Sequence, residues 1–165
     1  MSSTSWIDHD WRTRGQIVVS RSIRTQRSTL AGRSSRHERS RIRYEEGIRR
    51  FVREWSDGTR FSLTIRRRAD REPVGSVELR PRADSCDADV SYMVAAELRG
   101  QGLAPTALEA MLAWGSAELG LRRAHIGCHV ENTASRRVAE KCGFVLVGRV
   151  GDELRFHRDL GRARP

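Results

Sequence analysis

The chain has 165 residues, enough for one domain with a sizeable core and no need of disulfide staples. Its 38% hydrophobic and 32% charged residues are a globular balance, and it holds no run of about 18 apolar residues that would span a membrane. The net charge of +10 sits mainly at the front: residues 1–43 carry 10 arginines against Asp8, Asp10 and Glu38, giving +7, and residues 44–165 carry +3.

Arginines number 30 and Lys141 is the single lysine, which fits a codon bias or, functionally, an anion-binding arm. Met1 to Asp10 lacks the basic-then-apolar pattern of a secretory leader. Cys86, Cys128 and Cys142 are odd in number and lack metal-ligand spacing, so they read as reduced thiols of a cytoplasmic protein with no metal site.

Residues 1–40 are rich in Ser, Thr and Arg and are expected to be mostly irregular, with one short strand at Gln16–Ser20. The folded domain is expected over residues 41–165. Tyr44, Ile48, Phe51, Val52 and Trp55 recur at helical spacing, and Ser56-Asp57-Gly58 ends that helix. Phe61, Leu63 and Ile65 alternate with polar residues as in a half-exposed strand, and Val74 to Leu79 forms a second strand after the turn at Arg71-Glu72-Pro73. Ala88–Val94 is a third strand, apolar on both faces in its second half, as a central strand requires.

Ala104, Ala107, Leu108, Met111, Leu112, Gly115 and Leu119 make one apolar stripe of a long helix, with Pro105 in its first turn and Gly120 at its end. Ala124–Val130 is a strand. Asn132 or Thr133 caps a short helix in which Val138 and Cys142 share a face and which Gly143 ends. Phe144–Val150 and Glu153–Arg158 close the chain as a hairpin about Gly151-Asp152. A strand–helix–strand core flanked by hairpins implies a mixed sheet with helices on its faces.

The turn Arg99-Gly100-Gln101-Gly102-Leu103-Ala104 joins a central strand to a helix. Small residues let a ligand approach the backbone, and free amides at the helix start suit a phosphate. Alone this is a weak signal, equally met by a tight turn without a ligand. No Lys-Ser/Thr follows Gly102, and the three-glycine dinucleotide spacing is absent.

The company of the turn is more specific. Its form is Arg-x-x-Gly-x-Ala, after Tyr92-Met93-Val94, and it is followed by Val130-Glu131-Asn132-Thr133-Ala134-Ser135 and then Ala139-Glu140-Lys141-Cys142-Gly143-Phe144. Over roughly residues 44–160 this resembles the GNAT superfamily of acyl-CoA N-acyltransferases, nearest to its ribosomal-protein N-terminal acetyltransferase branch. The resemblance implies an α+β fold: a mixed, mostly antiparallel central sheet, splayed at a bulge, with helices on both faces. It implies acetyl-CoA as co-substrate and an amine acceptor, a protein N-terminus or a small molecule.

Carried over, Arg99 and the amides of Gly100, Gln101, Gly102, Leu103 and Ala104 hold the CoA pyrophosphate. Met93 and Val94 bind the pantetheine arm as an added strand, with an amide near Val94 as oxyanion donor, and Asn132 bonds the arm from the other side. Many members carry a Tyr seven residues after the Asn, where this chain has Ala139. In the ribosomal-protein branch the Ser at the Ser135 position protonates the leaving thiolate. Glu78, Asp89, His129 and Glu131 are near the expected opening, and Glu78 and Asp89 are taken as candidate bases.

The front of the chain departs from the family: Ile17-Val18-Val19-Ser20-Arg21 is only a faint form of its first strand. Two rival readings stay open, a CoA-binding protein without turnover and an Arg-rich nucleic-acid-associated protein on the same fold. Against the second, the core carries +3 and aromatics are 6%, so only the N-terminal arm offers nucleic acid a contact. Dimerisation is common in the family, and a homodimer stays open.

Overall fold

A computed structural model of the chain describes residues 10–11, 17–20 and 50–161. Its strands are β1 (Asp10–Trp11), β2 (Ile17–Ser20), β3 (Phe61–Arg67), β4 (Pro73–Pro81), β5 (Asp87–Val94), β6 (Arg123–His129), β7 (Val145–Val150) and β8 (Glu153–Asp159). Helix α1 is described over residues 50–56, and α2 (Leu103–Leu119) and α3 (Thr133–Lys141) follow. The first part of the helix expected from Tyr44, and residues 21–49 generally, lie outside the described residues.

The strands form one sheet in the order β1-β2-β3-β4-β5-β6-β8-β7, antiparallel throughout except for the β5·β6 pair. The strand expected at Gln16–Ser20 is present as β2. Ile17, Val18 and Val19 are at most 4% exposed, and the strand pairs antiparallel with β3 from Ile17↔Arg67 to Ser20↔Thr64. That part of the front segment is therefore sheet and core. β1 was not foreseen; two residues are too few for a period to show.

Alternation explains most of the burial. Phe61, Leu63 and Ile65 point to one face of β3, and Val77 and Leu79 to the same face of β4. Val74 breaks the alternation because the register shifts between Ile65↔Gly75 and Arg66↔Pro73, which leaves Val74 as an extra residue. The hairpin expected from Phe144 begins at Val145, and Phe144 is a buried residue before it.

The described helices α1, α2 and α3 lie against one face of the sheet. Leu79 and Val90 are paired, so Leu79, Val90 and Tyr92 share a face. On that face α2 packs through Gly115, whose added Cβ would stand 2.8 Å from Leu79 Cδ1, and α3 reaches Tyr92 through Ser135. α1 joins the layer through Trp55, with ring centroids 5.0 Å from Phe61 and 5.5 Å from Trp114. The reason is chirality: β5–α2–β6 and β6–α3–β7 both move toward the same edge, so right-handed crossovers put both helices on one side. The opposite face is polar along β4 and β5, with Ser76, Glu78, Asp89 and Ser91.

Candidate active site

β5 and β6 run parallel and pair only at Asp87↔Arg123, Ala88↔Ala124 and Asp89↔His125. Beyond Asp89 they part. β6 instead follows β8, with which it pairs over all seven of its residues, Arg123↔Asp159 to His129↔Glu153. The opening thus stands where the resemblance puts it. The bulge is not on β5, whose register with β4 is unbroken from Gly75↔Val94 to Pro81↔Ala88. It lies one strand away, at Val74, whose carbonyl accepts the Ala95 amide at 2.9 Å. Gly75 is required there: a Cβ would collide with the Met93 carbonyl oxygen.

The Ala95–Val74 bond also settles which backbone groups face the opening. Antiparallel pairing alternates, so Ala95 and Met93 direct their amides to β4, and Val94 and Tyr92 direct theirs to the free edge. Of the two expected arm-binding residues, Val94 therefore offers an unpaired amide. The Met93 side chain is 65% exposed on the polar face.

At the mouth of the opening the chain enters α2 through Gly100 at φ 79° and Gly102 at φ 78°. This left-handed region costs an L-residue roughly 1–2 kcal/mol, so glycine belongs here. Nothing lies within 4 Å of where a Cβ on either glycine would be. Gly102 is the helix N-cap and has no side chain to satisfy the first amides. Among the described residues no group accepts from the amides of Gly100, Gln101, Gly102, Leu103 or Ala104. Pro105 has no N–H, and the ladder begins with Thr106, whose N–H donates to the Gly102 carbonyl at 3.2 Å and whose Oγ1 donates at 2.9 Å. Five free amides at the positive end of a 17-residue helix form a cradle for a phosphate-sized anion. Arg99 stands beside it, its Nε donating to the Val94 carbonyl at 3.3 Å.

Across the opening, Asn132 is the cap of α3: its Oδ1 accepts the Ser135 amide at 3.0 Å. Ser135 Oγ lies 2.9 Å from the Tyr92 hydroxyl, which also reaches the Ser135 carbonyl at 3.2 Å. Burial pushes the Tyr92 phenol up, partly offset by its bond to Ser135. Burial likewise raises the Cys128 thiol, which stands on β6 beside Ser135. Ala139, where a Tyr is often found, is fully buried.

The candidate bases are on the other face. Both oxygens of Asp89 are held by Arg82, at 2.7 and 3.0 Å, and these bonds hold its carboxyl below the usual range. Glu78 meets Arg80 at 2.8 Å and Arg60 at 3.9 Å, both through Oε2. His129 Nδ1 accepts the Glu131 amide at 3.3 Å, and the Glu131 side chain is 88% exposed. The structure thus gathers the Gly100–Ala104 turn, Val94, Asn132 and Ser135 about one opening and puts Glu78 and Asp89 behind the sheet. Tyr92 was missed as a site residue. Its parity with Val90 and Val94 was a usable signal that it faces the helices.

The described residues contain no cluster of metal ligands, and no described helix is long and apolar enough to cross a membrane. YdaF of Bacillus subtilis (strain 168), which carries the name of a ribosomal N-acetyltransferase, is 34% identical over 76 residues, a match that spans 44% of this chain and 42% of that one. Mycobacterium smegmatis RimJ, solved with CoA-disulfide, superposes with a TM-score of 0.68 at 22% identity over 79% of this chain and 67% of that one. Spermidine N-acetyltransferase from Vibrio cholerae, solved with CoA and spermine, gives 0.62 at 22% identity over 71% and 75%. These structures share the fold. The family model described as an acetyltransferase (GNAT) domain matches residues 8–145, most of the chain, from before β2 to the start of β7, and this chain belongs to that family.

Proposed function

We propose that this chain is a cytoplasmic N-acetyltransferase that moves an acetyl group from acetyl-CoA to a primary amine, on a protein N-terminus or a small molecule. The observation that carries the reading is the row of unpaired amides from Gly100 to Ala104 opening onto the free edge of β5. A diphosphate fits that cradle, and a peptide-like arm fits the strand edge at Val94 and Tyr92. Acetyl-CoA supplies an acyl group already activated as a thioester, so no covalent enzyme intermediate is needed.

The chain's own groups would then do three things. Holding the two reactants in line supplies much of the rate. The Val94 amide, fixed in the sheet, meets negative charge on the thioester oxygen. Ser135, in the first turn of α3, gives its proton to the departing sulfur, where the helix dipole favours developing anionic charge. The amine must also lose a proton, and since Glu78 and Asp89 stand behind the sheet with arginines on them, water at the opening carries it away.

The test is release of free CoA thiol on a panel of amines covering N-terminal peptides and polyamines. Turnover on one class assigns the acceptor. Saturable acetyl-CoA binding with no turnover on any amine returns the chain to a binding role.

A further inference from the structure

The opening holds a second hydroxyl that the proposed reaction has not used. Tyr92 reaches from β5 across to α3, 43 residues later in sequence, and meets Ser135 at two atoms, Oγ at 2.9 Å and the carbonyl at 3.2 Å. We propose that Tyr92 is a positioning residue for acetyl transfer, its hydroxyl holding the Ser135 hydroxyl toward the opening and supporting the Ser135 oxygen as that oxygen gives up its proton. The inference rests on the acetyltransferase reading above.

Counting protons separates two arrangements. The Ser135 carbonyl only accepts, and Tyr92 has one proton to donate. In the first arrangement Tyr92 donates to the carbonyl and the Ser135 hydroxyl donates to the Tyr92 oxygen. This closes a ring that pins the serine rotor. In the second, Tyr92 turns its proton to Ser135 Oγ, and the serine proton is released toward the opening. Rotation of two hydroxyls converts one into the other, with no heavy atom displaced.

In the transfer step the Ser135 O–H bond breaks and an S–H bond forms on the CoA sulfur, while the tyrosine keeps its proton and shifts its hydrogen bond onto the serine oxygen. Ser135 regains a proton from water, which carries the one released by the amine. Tyr92 is not itself the proton source. Its hydroxyl meets Ser135 at both Oγ and the carbonyl, so its proton stays in bonds to the serine and does not pass to the sulfur. The backbone completes the clamp, with the Ser135 amide held by Asn132 Oδ1 at 3.0 Å.

Tyr92→Phe in the full chain keeps the ring and removes only the hydroxyl. The expected result is a fall in kcat of about 10-fold, with the Kd for acetyl-CoA within about two-fold of the parent. Tyr92→Phe combined with Ser135→Ala is expected to be no slower than Ser135→Ala alone, because the tyrosine acts through the serine. Turnover of Tyr92→Phe equal to the parent, or a double-variant loss equal to the product of the two single losses, overturns the proposal.

A second measurement needs no turnover. Tyr44 is the other tyrosine of the chain, so in a Tyr44→Phe background the ultraviolet titration of phenolate reports Tyr92 alone. The titratable groups facing it are Cys128 on β6 and Cys142 at the end of α3. Its midpoint is expected above 10, and Ser135→Ala should raise it further, since the serine bond lowers it. A midpoint indifferent to Ser135→Ala overturns the pairing. A parent inactive on every amine overturns the functional reading and this inference with it, whereas an active parent matched by Tyr92→Phe overturns the inference alone.

Discussion

Replacing Gly102 by valine should destroy acetyl-CoA binding while leaving a folded protein, and the two effects can be separated in size. An L-residue at φ 78° costs roughly 1–2 kcal/mol. Beyond the adjoining residues no atom lies within 4 Å of the new Cβ, so the Cβ itself meets no clash in the free protein. At about 2–4 °C per kcal/mol for a chain of this size, the free variant should melt about 2–8 °C below the parent. Acetyl-CoA at about 100 times its Kd should stabilise the parent by about 2.7 kcal/mol, because only the native state binds it. That is a rise of about 5–11 °C by the same conversion. In Gly102→Val the branched side chain stands before the free amides. The rise should vanish, and titration calorimetry should show Kd weakened at least about 100-fold, the same 2.7 kcal/mol. Gly58→Val is the control. It carries a comparable φ of 70° with nothing within 4 Å, in the turn after α1, so it should be strained alike yet keep the full acetyl-CoA shift. A Gly102→Val protein that melts lower but binds acetyl-CoA like the parent would refute the placement of the anion cradle.

Ser135→Ala should lower kcat by about 10–100-fold with acetyl-CoA affinity spared, the mark of an interaction made in the transition state; unchanged turnover under chemistry-limited conditions would leave Ser135 a helix residue. Ile17→Ala should cost about 2–5 kcal/mol in denaturant unfolding, because Ile17 is 1% exposed and β2 is core; a neutral result would remove β2 from the sheet. Burial, and then the nearby Glu109, push the buried Cys142 thiol from 9.0 to about 11. The folded state then holds its proton while the unfolded chain has lost it. Stability is full below pH 9 and falls as pH rises toward 11, by at most about 2.7 kcal/mol, and Cys142→Ala should flatten that decline in alkaline unfolding curves.

Much of the fold and one wall of the site were legible in the residues because local rules act there. Phe61, Leu63 and Ile65 alternate because one face of β3 is buried, and α2 ends at Gly120 because its φ of 64° favours glycine. The Arg99–Ala104 turn showed for the same reason, since Gly100 and Gly102 are demanded by their own dihedrals. Asn132 was readable as a cap from its place before the helix. Other features depend on partners far along the chain. Three apolar residues at Ile17–Val19 became a core strand because β3, more than 40 residues on, offers an edge to pair with. The opening between β5 and β6 exists because β6 follows β8 rather than β5. Asp89 looked like a free carboxylate until Arg82 closed on it, and Tyr92 looked like one more strand residue until α3 set Ser135 against it. Dihedral preference and side-chain period belong to a few neighbouring residues and can be read in order. Which strands pair, where they part and which side chains then meet are set by packing between segments that the chain order keeps apart.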